Sequence, residues 1–247
     1  MIPVTAMTSV TSVAGGPPTV SVVIPTLNAA SFACQAVESV HAQRNLPAGC
    51  RLEVVVVDNG STDGTPDLLR RTYGDRVRIV SETSSRGAAV ARNAGISVAA
   101  GGLIATLDAD DTWMPEKLAL QLALLDARPD VSFVFCHGSE FADPAGCVPC
   151  REESLPFPSA SALLGRREAF AAAGPFPPFR SGEFIAWYGW TRSLGLVSHV
   201  LPQTLVRRRV HASNSTRDRT ALEDYPLAIR WQLEKRRQLE AGGPRRS

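Results

Sequence analysis

The sequence has no apolar run approaching the roughly 18 to 20 residues that a membrane span needs, so none of its 247 residues is assigned to a transmembrane helix. It has no charge imbalance. Its 26 basic and 24 acidic residues leave a net charge of +2, which argues against a nucleic-acid binder, a class that carries a large basic excess. It has no disulfide framework either, because Cys34, Cys50, Cys136, Cys147 and Cys150 are odd in number and irregular in spacing. Cys147-Val-Pro-Cys150 has the spacing of a redox or zinc pair, with His137 as a conceivable third ligand. No second pair and no thioredoxin-like context accompany it, and it reads as two thiols in a loop. Residues 1–19 lack the basic start and apolar core of a signal peptide and read as a flexible tail, with Met7 as an alternative start. The expected location is therefore cytoplasmic. Internal repeats are absent.

What is present is an ordinary globular composition, 44% apolar and 20% charged, with a regular alternation in its first half. Val20–Ile24 is a β-branched run closed by Pro25 and followed by a helical stretch carrying Phe32, Ala33, Ala36, Val37 and Val40 on one face. Leu52–Val57 is a second buried strand that runs into the turn cluster Asp58–Pro66, where Pro66 opens a short helix. Val77–Val80, Leu103–Leu107 and Val131–Phe135 are further strands, with helices over Gly87–Ala100 and from Pro115 onward. Alternating strands and helices predict an α/β fold with a mostly parallel central sheet flanked by helices. Ligands of such sheets bind beyond the carboxyl ends of the strands. Pro25-Thr26, Asp58 and Asp108-Ala109-Asp110-Asp111 all fall at such ends.

The second half is less regular. Residues 141–160 read as a loop, Ser161–Ala173 and Glu183–Leu194 as helices, Leu205–His211 as a strand, and Leu222–Leu239 as a basic amphipathic helix. That last helix either packs on its own domain or makes peripheral contact with a membrane surface or another subunit.

Closely spaced aspartates at a strand end suit a hard divalent cation, Mg2+ or Mn2+, which takes carboxylates together with phosphate oxygens and water. Such a cation would neutralise a departing diphosphate. Alone, the D-x-D pattern equally fits an Asp-rich turn that caps the next helix.

Four stretches give the pattern its company: Val22–Asn28, Val55–Thr65, Arg86–Gly95 and Leu107–Asp111. In this order and spacing the chain resembles the inverting glycosyltransferases of family 2, which have the GT-A fold. The likeness continues through Ser161–Phe170 and Gly174-Pro175-Phe176 to Arg209-Val210-His211 and Asn214-Ser215, covering about residues 20–216.

The resemblance implies one domain over residues 20–220, with a nucleotide-sugar and metal half (20–140) and an acceptor half (141–220), followed by the helix and tail of 221–247. It implies that Pro25, Thr26 and Asn28 line the nucleotide pocket and that Asp58 meets the base or ribose. Arg86 and the Arg92-Asn93 pair flank the nucleotide, and Asp108 and Ala109 lie along the ribose and sugar. Asp110 is the main metal ligand, His211 approaches the metal or diphosphate, and Asp111 is a supporting carboxylate behind them. The donor would be a nucleoside-diphosphate sugar, most commonly UDP-linked in the family. The acceptor, whether glycan, peptide, lipid or small molecule, is not named by the sequence.

An inverting transfer needs a carboxylate base, and the family supplies it from a Glu-Asp pair. Here Glu183 matches the first acid and Phe184 stands where the second is usual. Glu183 is the candidate base, with Asp143 and Glu153 as weaker candidates. The missing acid also leaves room for a binding module without turnover. A nucleotidyltransferase would carry a Gly-rich phosphate loop after the first strand, and Pro25-Thr26-Leu27-Asn28 is not one. Asn59, Ser61 and Thr65 read as turn formers. Trp187, Tyr188 and Trp190 read as core more than as sugar-ring contacts. Arg207–Arg209 reads either as a phosphate-neutralising run or as a solvated edge.

Overall fold

The computed structural model describes residues 17–144, 148–212, 214 and 224–242. In chain order, β1 (Thr19–Thr26), α1 (Ala33–His41), β2 (Arg51–Asp58), α2 (Thr65–Tyr73), β3 (Arg78–Ser81), α3 (Ala88–Val98) and β4 (Leu103–Thr106) form the expected alternation. They are followed by β5 (Thr112–Trp113), α4 (Lys117–Ala127), β6 (Val131–Ala142), β7 (Leu155–Phe157), β8 (Leu164–Arg166), α5 (Arg167–Ala173), α6 (Glu183–Ser193), β9 (Val197–Val210) and α7 (Asp224–Gly242). Thr19, expected as the end of a tail, already belongs to β1. The rest of that tail up to residue 16 lies outside the described residues, as do Cys147 of the cysteine pair and Ser215.

One sheet runs β3-β2-β1-β4-β8-β6-β9-β5, with β7 added to β6. Its first four strands are parallel, as the alternation predicts. Beyond β4 the pairing is mixed: β8 is antiparallel to both β4 and β6, β9 is parallel to β6, and β5 is antiparallel to β9. The β-branched residues of β1 and β2 are almost wholly buried, which is why these strands read as continuous apolar runs. Helix α3 reaches this surface through Gly95, where a Cβ would lie 2.3 Å from Val23 Cγ1. Only glycine permits that approach.

Three local expectations are corrected. Ser161–Ala173 is not one helix. Leu164–Arg166 forms strand β8, and only Arg167–Ala173 is α-helical. Gly165 sits under Phe133, whose Cδ1 would be 2.4 Å from an added Cβ, so insertion between β4 and β6 overrides local helix propensity. The loop expected over 141–160 is shortened by β6, which continues to Ala142, and by β7. Strand β9 begins at Val197 rather than Leu205, and its register on β6 shifts around Pro202-Gln203, consistent with a proline that cannot donate to the ladder.

Helix α7 is less amphipathic than expected. Ala228 is buried, while Leu227, Ile229, Leu233 and Leu239 are exposed at several azimuths. No helix among the described residues is long and apolar enough to cross a membrane.

Candidate functional site

The carboxyl ends of β1 and β2 lie side by side, with Thr26 opposite Asp58. Pro25 is buried in the sheet opposite Val57. The Thr26 hydroxyl is also buried and donates to the Val57 carbonyl at 3.2 Å. Asn28 takes a left-handed backbone (φ 51°) and staples two loops. Its amide donates to Ser61 Oγ at 2.9 Å, and its Oδ1 accepts from the Thr62 amide at 2.8 Å. The Asp58 carboxylate accepts the Gly60 and Ser61 amides at 3.3 Å, an Asx-type turn that leaves the group just inside the rim.

Asn59, read from sequence as a turn former, does more than shape a turn. It donates to the Glu82 and Ser85 carbonyls at 2.6 and 2.8 Å and accepts the Gly87 amide at 2.7 Å. One buried carboxamide thereby holds the 82–87 loop, on which Arg86 stands exposed, against the end of β2.

The acidic turn follows β4. Ser161 Oγ accepts the Asp108 amide at 3.1 Å and donates to Asp111 Oδ2 at 2.6 Å, clamping both ends of the turn. The other Asp111 oxygen accepts the Arg209 amide at 3.0 Å. Burial, followed by the charges of Asp110 and Asp108, pushes the Asp111 carboxyl well above its ordinary value. With both oxygens engaged in the interior, Asp111 supports the turn from behind.

Ala109 is buried between its neighbours. Asp110 faces outward with its side chain 31% exposed. Its Oδ2 lies 3.2 Å from His211 Nε2 and 3.1 Å from Asn214 Nδ2. Burial raises the Asp110 carboxyl, the Asp108 charge adds to this, and the hydrogen bond with His211 opposes it.

Arg209 determines how β9 meets this turn. Its Nε donates to the Asp110 carbonyl at 2.9 Å, and its two terminal nitrogens reach Gln35 Oε1 at 2.6 Å and the Asp143 carboxylate. The guanidinium lies against the Phe32 and Phe141 rings, 4.9 and 4.7 Å from their centroids, and Phe32 in turn packs on His211. These contacts refine two sequence readings. Arg207–Arg209 is not a free cationic run: Arg208 pairs with Glu140 at 2.6 Å and Arg207 lies over Phe141. Asp143 is engaged as the counter-ion of Arg209.

Arg92 was grouped with Asn93 in the sequence, and the structure separates them. The Asn93 carboxamide donates to the Phe176 carbonyl and accepts its amide, both at 2.9 Å. Asn93 is thus a strap on the Gly174-Pro175-Phe176 segment, with both ends of its carboxamide engaged there. Adjacent positions on a helix point about 100° apart. Arg92 faces the crevice instead and forks between Asp108 at 2.6 Å and Glu183 at 2.7 Å. Burial opposes its charge, yet Asp108 and Glu183 together hold the guanidinium above its ordinary value.

Glu183 is the first residue of α6, and its side chain is 12% exposed. Phe184 is buried among Phe135, Phe176, Trp187 and Tyr188, so an acid at that position would face apolar rings. Helix phase therefore leaves Glu183 as the residue of this pair turned to the crevice. Trp187 is fully buried and donates to the Gly174 carbonyl, Trp190 donates to the Ala173 carbonyl, and Tyr188 bonds Ser198. All three are committed to packing.

Among the described residues no group of three or more His, Cys, Asp or Glu is assembled into a closed metal cage. Asp110 and His211 form an open two-donor set. That set fits a cation which completes its shell with phosphate oxygens and water.

Succinoglycan biosynthesis protein ExoO of Rhizobium meliloti is 42% identical to this chain over 110 residues, covering 44% of this chain and 30% of that protein. The chain thus spans only part of this curated relative. TarS of S. aureus, solved in complex with UDP-GlcNAc, superposes with a TM-score of 0.73 at 20% identity, over 88% of this chain and 66% of that one. The mannosyltransferase PcManGT of Pyrobaculum calidifontis, solved with GDP-Man and Mn2+, gives a TM-score of 0.65 at 22% identity, over 93% of this chain and 77% of that one. These likenesses establish the GT-A fold. The profile of Glycosyl transferase family 2 matches residues 21–180, and the chain belongs to that family.

Proposed function

We propose that this chain transfers a sugar, with inversion, from a nucleoside-diphosphate sugar to an acceptor hydroxyl, and that the donor is UDP-linked. One observation carries the proposal. Asp108 and Glu183 are held on one guanidinium in the same crevice as the partly exposed Asp110 and its partner His211, at the strand ends where such sheets bind ligands. The complexes of TarS with UDP-GlcNAc and of PcManGT with GDP-Man and Mn2+ support a nucleotide-sugar donor. In this proposal Pro25, Thr26, Asn28, Asp58 and Arg86 surround the nucleotide, and Asp108 and Ala109 line the ribose and sugar. Asp110 and His211 hold Mg2+ or Mn2+.

When bound, the cation supplies charge stabilisation for the diphosphate leaving group. The acceptor oxygen forms a bond to the anomeric carbon as the bond from that carbon to the diphosphate oxygen breaks. The electron pair leaves with the diphosphate, and the acceptor proton passes to the Glu183 carboxylate. Arg92 keeps that carboxylate oriented toward the sugar side of the crevice.

The test is nucleotide release from UDP-glucose, UDP-GlcNAc and GDP-mannose, each with and without Mn2+, for the wild type and Asp110→Ala. Release that depends on Mn2+ and vanishes in the folded Asp110→Ala variant is expected. Equal release without metal, or full activity in the variant, would overturn the metal assignment.

A further inference from the structure

Helix α7 lies beyond residues 21–180, where the family profile matches, yet it is built onto the start of α6. Asp224, its first residue, accepts the Arg180 amide at 2.7 Å and the Ser181 amide at 3.3 Å through one carboxylate oxygen. Gly182 follows with φ 78°, and a Cβ there would stand 3.4 Å from Ala228 and 3.5 Å from Tyr225 of α7. About two turns further along, a Cβ at Gly189 would lie 2.2 Å from the Gln232 side chain. Gly182 just before α6 thus lies in contact with α7, Gly189 within α6 leaves room for Gln232, and Ala228 is buried on this side. Helix α6 has no side-chain cap of its own, and Asp224 supplies a negative charge beside its amino end from outside. The next residue after this tether is Glu183.

We propose that Asp224 is a positioning residue: α7 fixes the 180–182 turn, and through it the direction in which Glu183 enters the crevice. This rests on the assignment of Glu183 as the base. A carboxylate held by Arg92 on one side needs its own backbone held on the other. A misplacement of about 1 Å in such a group costs up to about 100-fold in rate.

The experiment uses the full chain as wild type, Asp224→Ala, Asp224→Asn, Ala228→Arg and Glu183→Gln. It reads UDP release from UDP-glucose and UDP-GlcNAc with Mn2+, together with amide hydrogen exchange. Asp224→Ala is expected to lower kcat by about 10- to 100-fold, with the donor KM within about twofold of wild type. Asp224→Asn, whose carboxamide oxygen accepts the same two bonds, is expected to recover most of that loss. Exchange at Arg180 and Ser181 is expected to rise at least about tenfold in Asp224→Ala, and Ala228→Arg, which wedges α7 away, is expected to reproduce both effects. Unchanged kcat despite faster exchange overturns the proposal, and so does a loss that falls on KM and is not rescued by asparagine. If neither donor turns over, unchanged exchange at Arg180 and Ser181 overturns it and faster exchange supports the tether. Full turnover in Glu183→Gln instead refutes the base assignment, whatever Asp224 does.

Discussion

Arg92 and Glu183, 91 positions apart in the chain, meet at 2.7 Å, and the same guanidinium holds Asp108 at 2.6 Å. Removing a buried cation strands its partners. Arg92→Met is expected to lower unfolding free energy by about 3 kcal/mol, and Arg92→Lys, which cannot fork, by less. The double variant Arg92→Met/Glu183→Gln should recover part of the loss, because one stranded charge is gone. Urea midpoints of the four proteins check this. An Arg92→Met midpoint equal to wild type would show that the fork contributes nothing to stability.

The pairing of Asp110 with His211 makes a prediction about metal. In the proposed site His211→Ala is expected to weaken Mn2+ binding in the presence of UDP by at least about tenfold. Because the ring is buried against Phe32, the metal-free thermal midpoint is measured alongside and is expected to fall, and the loss of Mn2+ affinity is read on the folded protein. Calorimetric titration of Mn2+ into the UDP-bound protein measures it, and unchanged affinity would remove His211 from the ligand set.

Asn59 makes three hydrogen bonds from a buried carboxamide. Asn59→Ala orphans two carbonyls and one amide and is expected to cost about 2 to 3 kcal/mol. Faster exchange should be confined to the 82–87 segment and the start of α3. Nucleotide affinity should fall with it, since Arg86 rides on that loop. Hydrogen exchange and UDP titration of the same variant test both halves.

Lys117 is wholly buried, lies 3.9 Å over the Trp113 ring and donates to Gln121 Oε1 at 2.8 Å. Burial lowers its pKa to about 8 from 10.5, and the charge of Cys136 opposes this. Below about pH 8 the amine is protonated in both the folded and the unfolded chain, and the full cost of burying the charge is present. Between about 8 and 10.5 the unfolded chain holds the proton and the folded chain does not, so stability from this group rises with pH. Lys117→Met should lack that rise, and urea midpoints from pH 7 to 10.5 would show the two curves diverging. Parallel curves would mean that Lys117 titrates normally.

Much of the crevice at the carboxyl ends of β1, β2 and β4 was legible in the sequence. The β-branched runs of β1, β2 and β4, the turn residues after β2 and the acidic turn after β4 are local signals, and the strand ends fall within two residues of where these signals place them; β1, read as closed by Pro25, runs on through it to Thr26. The second half was legible only in part. Leu164–Arg166 has no strand pattern of its own and becomes β8 only because β4 and β6 leave a gap that Gly165 can enter under Phe133. The amphipathic stripe expected on α7 dissolves because it packs on Gly182 and the start of α6, where Ala228 is buried and the leucines are left outside.

The sequence by itself determined the alternation of strands and helices and the placing of Thr26, Asp58 and Asp108–Asp111 at strand carboxyl ends, since period and turn chemistry depend on near neighbours. The tertiary structure alone decided which of those groups face one another. It turned Arg92 toward Asp108 and Glu183 while Asn93 strapped Phe176, and it set Asp111 inward and Asp110 outward. It also put Phe184 in the core and left Glu183 at the crevice. Each choice depends on a helix phase or a strand register, and these are fixed by packing between residues many tens of positions apart.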